Sequence, residues 1–180
     1  MMILKKVWSG LVLGLLVAGL SGLAHADEKT VKIMMPWDGE GSVYTIGPET
    51  LLFMGEFEGI MYVETSEGDL DAAYANCPAS QYIDRKKKQS SAKGYCTITV
   101  SSEDVAFAEW TCEGKVGACK GTFTLTGGTG KYAGVTGSSE MIVRSVLNVL
   151  VTGMGSGDAV RAASGLAILP KLTYKLAKGE

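Results

Sequence analysis

The chain is 180 residues long, with 17 basic and 19 acidic side chains and a formal net charge of −2. So small an imbalance gives no general attraction to nucleic acid or to an anionic lipid surface. Twenty-four glycines and four cysteines suit one domain with many tight turns and a disulfide framework.

Residues 1–26 read as a cleavable export signal. Lys5 and Lys6 give a positive start, residues 11–23 are apolar and uncharged, and Ala24-His25-Ala26 places small residues at the cleavage positions. The apolar run falls short of the roughly 20 residues that a membrane-crossing helix needs. Cleavage leaves a single domain, residues 27–180, with 15 basic against 19 acidic side chains and a net charge of −4. The one histidine, His25, departs with the signal, so the mature domain has no imidazole for a nucleophilic triad or a metal site. No cysteine follows the cleavage position, which argues against a lipid anchor. The expectation is a periplasmic or secreted domain with no membrane span, no metal and no cofactor.

Residues 31–35 predict a strand and 51–54 a short apolar run. Residues 57–63 alternate, with Phe57, Gly59, Met61 and Val63 on one face and Glu58, Ile60 and Tyr62 on the other. Residues 66–71 read as an acidic turn. Residues 76–94 are polar, contain Arg85-Lys86-Lys87-Lys88, and read as a solvated loop. An even cysteine count in an exported chain predicts two disulfides. Of the three possible pairings, Cys77–Cys96 and Cys112–Cys119 are expected. The first staples the ends of the polar segment, and the second closes a hairpin with its tip at 113–118. The spacing contains no CxxC pair of the kind a zinc site uses.

Residues 96–100 and 105–112 predict a hairpin across 101–104. Residues 121–126 give the clearest strand, with Gly121, Phe123 and Leu125 facing one way and Thr122, Thr124 and Thr126 the other. With Cys112 opposite Cys119, Trp110 faces Gly121, Ala108 faces Phe123 and Ala106 faces Leu125. That matches large residues with small ones, as a closed interior requires. Whether Thr97 and Thr99 or Ile98 and Val100 join the Trp110 face depends on a one-residue choice of register. Residues 139–151 predict a long strand, 153–157 a glycine-rich loop, 158–164 a short helical turn, and 166–176 a final strand broken near Pro170. Many short strands between turn signals point to an all-β sandwich or barrel.

Isolated polar residues carry little catalytic promise. Glu109, between Ala108 and Trp110, is expected on the outer face of its strand, and Glu140 with Arg144 as a surface pair. Met34, Met35, Met54 and Met61 lack clustered MxxM spacing and read as packing residues.

The segment 121–137 reads GTFTLTGGTGKYAGVTG. A dinucleotide fingerprint would need a helix opening at these glycines, within a βαβ unit. Gly134, Val135 and Gly137 follow at once and favour no helix. The segment reads instead as a hairpin, with Gly127, Gly128 and Gly130 turning the chain and Lys131-Tyr132 starting the return strand. This strand, GGTG-aromatic turn and glycine-spaced strand resemble the signature of the dirigent and allene oxide cyclase-like barrel superfamily. The tail LPKLTYKL is similar to the closing strand of its bacterial members. The resemblance implies an eight-stranded antiparallel up-and-down barrel with an apolar cavity for hydrophobic or phenolic molecules, and association into homo-oligomers. No family catalytic residue transfers to this chain. The leading expectation is a barrel that binds a small hydrophobic ligand between Phe57, Met61, Trp110, Phe123 and Leu125 on one continuous interior. An isomerase or cyclase, and a structural or protein-interaction barrel with a filled core, are the alternatives.

Overall fold

The computed structural model describes residues 28–146 and 158–177. The proposed export signal and the glycine-rich 153–157 lie outside these, as does the end of the predicted 139–151 strand. Eight antiparallel strands close into a barrel in sequence order: β1 (Glu28–Gly47), β2 (Thr50–Thr65), β3 (Leu70–Asp84), β4 (Gln89–Thr99), β5 (Val105–Lys115), β6 (Ala118–Gly128), β7 (Thr136–Ser145) and β8 (Asp158–Lys175). Because β8 pairs with β1, the sheet has no free edge to cover. The β1–β2, β3–β4 and β5–β6 turns lie at one end, and the β2–β3, β4–β5 and β6–β7 turns at the other.

Period-two alternation builds the interior. Val31, Ile33, Met35 and Trp37 of β1 are buried, as are Leu51, Phe53 and Met61 of β2, with Phe57 and Val63 packed against them. The faces expected for 57–63 are the observed ones.

Four expectations are corrected. Residues 76–94 do not form a loop. They are the paired halves of β3 and β4, and only the four basic residues make the turn. The buried positions here are Cys77, Ile83, Ser90 and Gly94, mostly small or polar residues that carry little hydrophobic signal. Residues 158–164 belong to β8 rather than a helical turn, because pairs such as Gly39 with Ala163 and Asp38 with Ser164 hold them in the sheet. Cys112 does not face Cys119. It faces Gly121, while Cys119 faces Gly114, Trp110 faces Phe123 and Ala108 faces Leu125. This two-residue slip keeps every side chain on its expected face. The open register between β4 and β5 resolves with Cys96 opposite Ala108 and Ile98 opposite Ala106, all buried. Finally, Lys131-Tyr132 lies in a 3-10 turn, Gly130–Tyr132, and the return strand starts at Thr136.

That turn is anchored to the neighbouring one. Thr129 Oγ1 donates to the Glu103 carbonyl at 2.7 Å and accepts from the Val105 N–H at 3.2 Å, while Lys131 N–H donates to Asp104 Oδ1 at 2.9 Å. Gly130 adopts φ 52°, and a Cβ there would lie 2.3 Å from Asp104 Oδ1. The glycine therefore serves both a left-handed backbone and a close approach.

β8 carries a bulge at Pro170. Leu169 pairs with Ile33 and Leu172 with Val31, so the barrel-facing positions shift phase across the proline. A bulge is where a residue without an N–H fits inside a sheet.

Both disulfides form as expected, Cys77–Cys96 with Cα atoms 4.1 Å apart and Cys112–Cys119 with 5.6 Å. Cys77, Cys96 and Cys112 are buried in the interior. Two such bonds point to folding in an oxidising environment.

Candidate functional site

Aromatic rings in the barrel lie over glycines of the adjoining strand. Phe57 pairs with Gly39, Trp37 with Gly165 and Trp110 with Gly94. A Cβ on those glycines would come within 2.7 Å of Phe57, 2.4 Å of Trp37 and 2.8 Å of Trp110. The missing side chains let the rings converge. Phe57 stands edge-on to Trp37 at 4.9 Å between centroids, 5.4 Å from Phe53 and 6.2 Å from Trp110.

These rings line a chamber of about 90 Å³, well beyond the ~10–15 Å³ that one water requires. Met35, Met61, Phe123, Met141, Ala163, Ala167 and Leu169 complete its apolar lining. The chamber extends toward the β5–β6 turn, where Gln81, Ser90, Ala118 and Ser145 line it. Ser90 is buried.

A second chamber of about 80 Å³ lies at the other end, lined by Val31, Ile33, Val63, Ile98, Leu125, Leu172, Tyr132 and Tyr174. Burial raises the Tyr174 phenol above its ordinary pKa, and nearby Tyr132 and Asp71 push it the same way.

Of the ligand-lining residues expected from the sequence, Phe57, Met61, Trp110 and Phe123 share the larger chamber. Leu125 lines the smaller one. Met61 and Phe123 border both, so they divide the interior that the sequence portrays as continuous. Sequence reasoning missed Trp37, Phe53, Met141 and the polar trio of Gln81, Ser90 and Ser145. Trp37 was within reach, because it continues the alternation of Val31, Ile33 and Met35.

Outside the barrel, Glu109 is exposed. Glu140 does not pair with Arg144 but with Lys120 on the adjacent strand, at 3.1 Å, while Arg144 donates to the Val143 carbonyl. Cross-strand neighbours in a sheet are nearer than residues four apart along one strand. Met35 and Met61 are buried, whereas Met34 and Met54 are exposed.

Among the described residues, the larger chamber's lining contains no carboxylate, amine or imidazole, and no group of three or more His, Cys, Asp or Glu is arranged to hold a metal. Also among the described residues, no helix is long and apolar enough to cross a membrane. Comparison with protein-family models, with characterised proteins and with solved structures finds no match to this chain.

Proposed function

We propose that this chain is an exported barrel that binds a small, largely apolar molecule in the larger chamber and releases it chemically unchanged. The observation that carries this is the aromatic wall of Trp37, Phe53, Phe57 and Trp110 facing open volume. Small-molecule sites are concave and mostly apolar, with a few placed polar groups, and Gln81, Ser90 and Ser145 are such groups. A cyclase or isomerase would draw on an ionisable group beside the substrate, and the described lining of this chamber supplies none.

Titration with a polarity-sensitive fluorescent probe tests the proposal. A saturable signal, displaced by a non-fluorescent apolar competitor and weakened in Trp110→Ala with folding intact, is the expected result. If no apolar probe binds the folded wild-type protein, the proposal fails and a structural barrel remains.

A further inference from the structure

The two ends of the barrel carry opposite charge. The end with the β2–β3 and β4–β5 turns holds Glu67, Asp69, Asp71, Glu103 and Asp104 against Lys131, which meets Asp104 at 3.8 Å. The opposite end, reached by the larger chamber, holds the turn Arg85-Lys86-Lys87-Lys88 and, beside it, Lys115 at the foot of β5. The two basic segments are tied together, since Val116 N–H donates to the Lys88 carbonyl at 3.1 Å and Gln89 pairs with Lys115.

Local acids neutralise only part of this rim. Arg85 meets Glu49 at 3.9 Å, and Lys87 meets Asp84 at 3.4 Å. Among the described residues, Lys86, Lys88 and Lys115 have no carboxylate partner; Glu113 is on the outer face of β5, and Asp158 starts β8 opposite Val43 of β1, at this same end. Just inside the rim, Gln81, Ser90 and Ser145 line the chamber. None of their side chains makes a hydrogen bond to another described residue. The chamber thus grades from aromatic wall, through uncommitted hydroxyl and amide groups, to unpaired ammonium groups.

We infer that the ligand is a compact hydrophobic acid: one ring system or a short alkyl body with a single anionic head. The inference rests on the chamber reading above and names its ligand class. The body packs against Trp37, Phe57 and Trp110. The head accepts hydrogen bonds from Gln81, Ser90 and Ser145 and sits in the positive field of Lys86, Lys88 and Lys115. A mouth with an excess of one sign of charge, above low-dielectric walls, concentrates counter-charged ligands and favours their capture. The smaller chamber at the acidic end repels the same ligand. The volume of about 90 Å³ suits a compact body.

Isothermal titration with a matched pair, phenylpropionate and its uncharged amide, tests this. At low salt the acid is expected to bind about tenfold more tightly than the amide. That preference shrinks to about threefold or less near 0.5 M salt, as screening shortens the reach of the rim charges. The triple variant Lys86→Gln, Lys88→Asn and Lys115→Gln is expected to bring the acid down to the amide's affinity and leave the amide unchanged. Asn is chosen at Lys88 because that residue has φ 54°, a region that Asn tolerates. The wild-type salt series decides the matter even if the variant fails to fold. An amide that binds as tightly as the acid at low salt, or an acid preference indifferent to salt, overturns the inference while leaving the chamber reading in place. If neither compound binds, the chamber reading itself falls.

Discussion

Gly94→Ala is a sharp test of the packing account. Gly94 lies in β4 directly opposite Trp110. A methyl group there would lie 2.7 Å from the Pro78 carbonyl oxygen, 2.8 Å from Ala79 Cβ and 2.8 Å from Trp110 Cε2. Ordinary contact begins near 3.4 Å, so three atoms on two neighbouring strands are each overlapped by 0.6–0.7 Å. The carbonyl is held in the sheet and cannot retreat alone. Overpacking of this kind costs about 1–3 kcal/mol, more than the ~0.5–1 kcal/mol that a strand gains when glycine becomes alanine. Net of that gain the loss is up to about 2 kcal/mol, which for a domain of this length lowers the melting point by up to about 8 °C. Thermal unfolding followed by circular dichroism, with both disulfides intact, reads it. Gly47→Ala serves as the control, because its methyl meets Thr50 at ordinary distances of 3.4 and 3.5 Å. A Gly94→Ala protein that melts at or above the wild-type temperature would refute the claim that the ring needs a glycine beneath it.

Three further outcomes follow from the same geometry. The Cys77–Cys96 bond spans 19 residues and Cys112–Cys119 spans 7, so replacing each pair with alanine should cost about 3 and about 2 kcal/mol respectively in the chain-entropy account. Urea midpoints that reverse this order would contradict it. Phe123→Ala removes a buried partition between the chambers and should cost about 3–5 kcal/mol while admitting probes too bulky for the wild type; unchanged size selectivity would show that Phe123 is no divider. Tyr174 has a raised pKa in the folded state, chiefly from burial, so its contribution is fully present below the unfolded phenol value of ~10 and lost as pH rises through the folded value. Tyr174→Phe should therefore lose less stability than wild type between about pH 9 and pH 11, and identical losses in denaturant melts would refute this.

The barrel was legible wherever large side chains alternate. Phe57, Met61 and Val63, and then Phe123 with Leu125, announce their faces because a strand turns each successive side chain to the opposite side. The cysteine pairing was legible too, although its exact register was not. A slip of two residues leaves all faces unchanged, and the large-with-small matching that favoured Trp110 opposite Gly121 chose the wrong register, since Trp110 faces Phe123. Small residues hid the rest. The buried face of β3 has Ala73, Ala75 and Cys77, and alanine-rich 158–164 favours a helix by intrinsic propensity until pairing with β1 overrides it. The division into chambers depends on Met61 and Phe123 standing at the level where the two chambers adjoin, which strand-by-strand periodicity does not encode. The basic turn was visible as a charge run, but its position at the chamber's mouth required the closed topology.

Methyl NMR on the methionines tests the central claim most directly. Met35, Met61 and Met141 line the larger chamber, whereas Met34 and Met54 are exposed on the barrel exterior. During titration with phenylpropionate or a neutral analogue, the three interior methyl resonances should shift along one saturable curve while Met34 and Met54 stay fixed. A titration that reaches ligand saturation with the interior resonances unmoved, or with only Met34 and Met54 shifting, would place the binding surface outside the barrel and contradict the account.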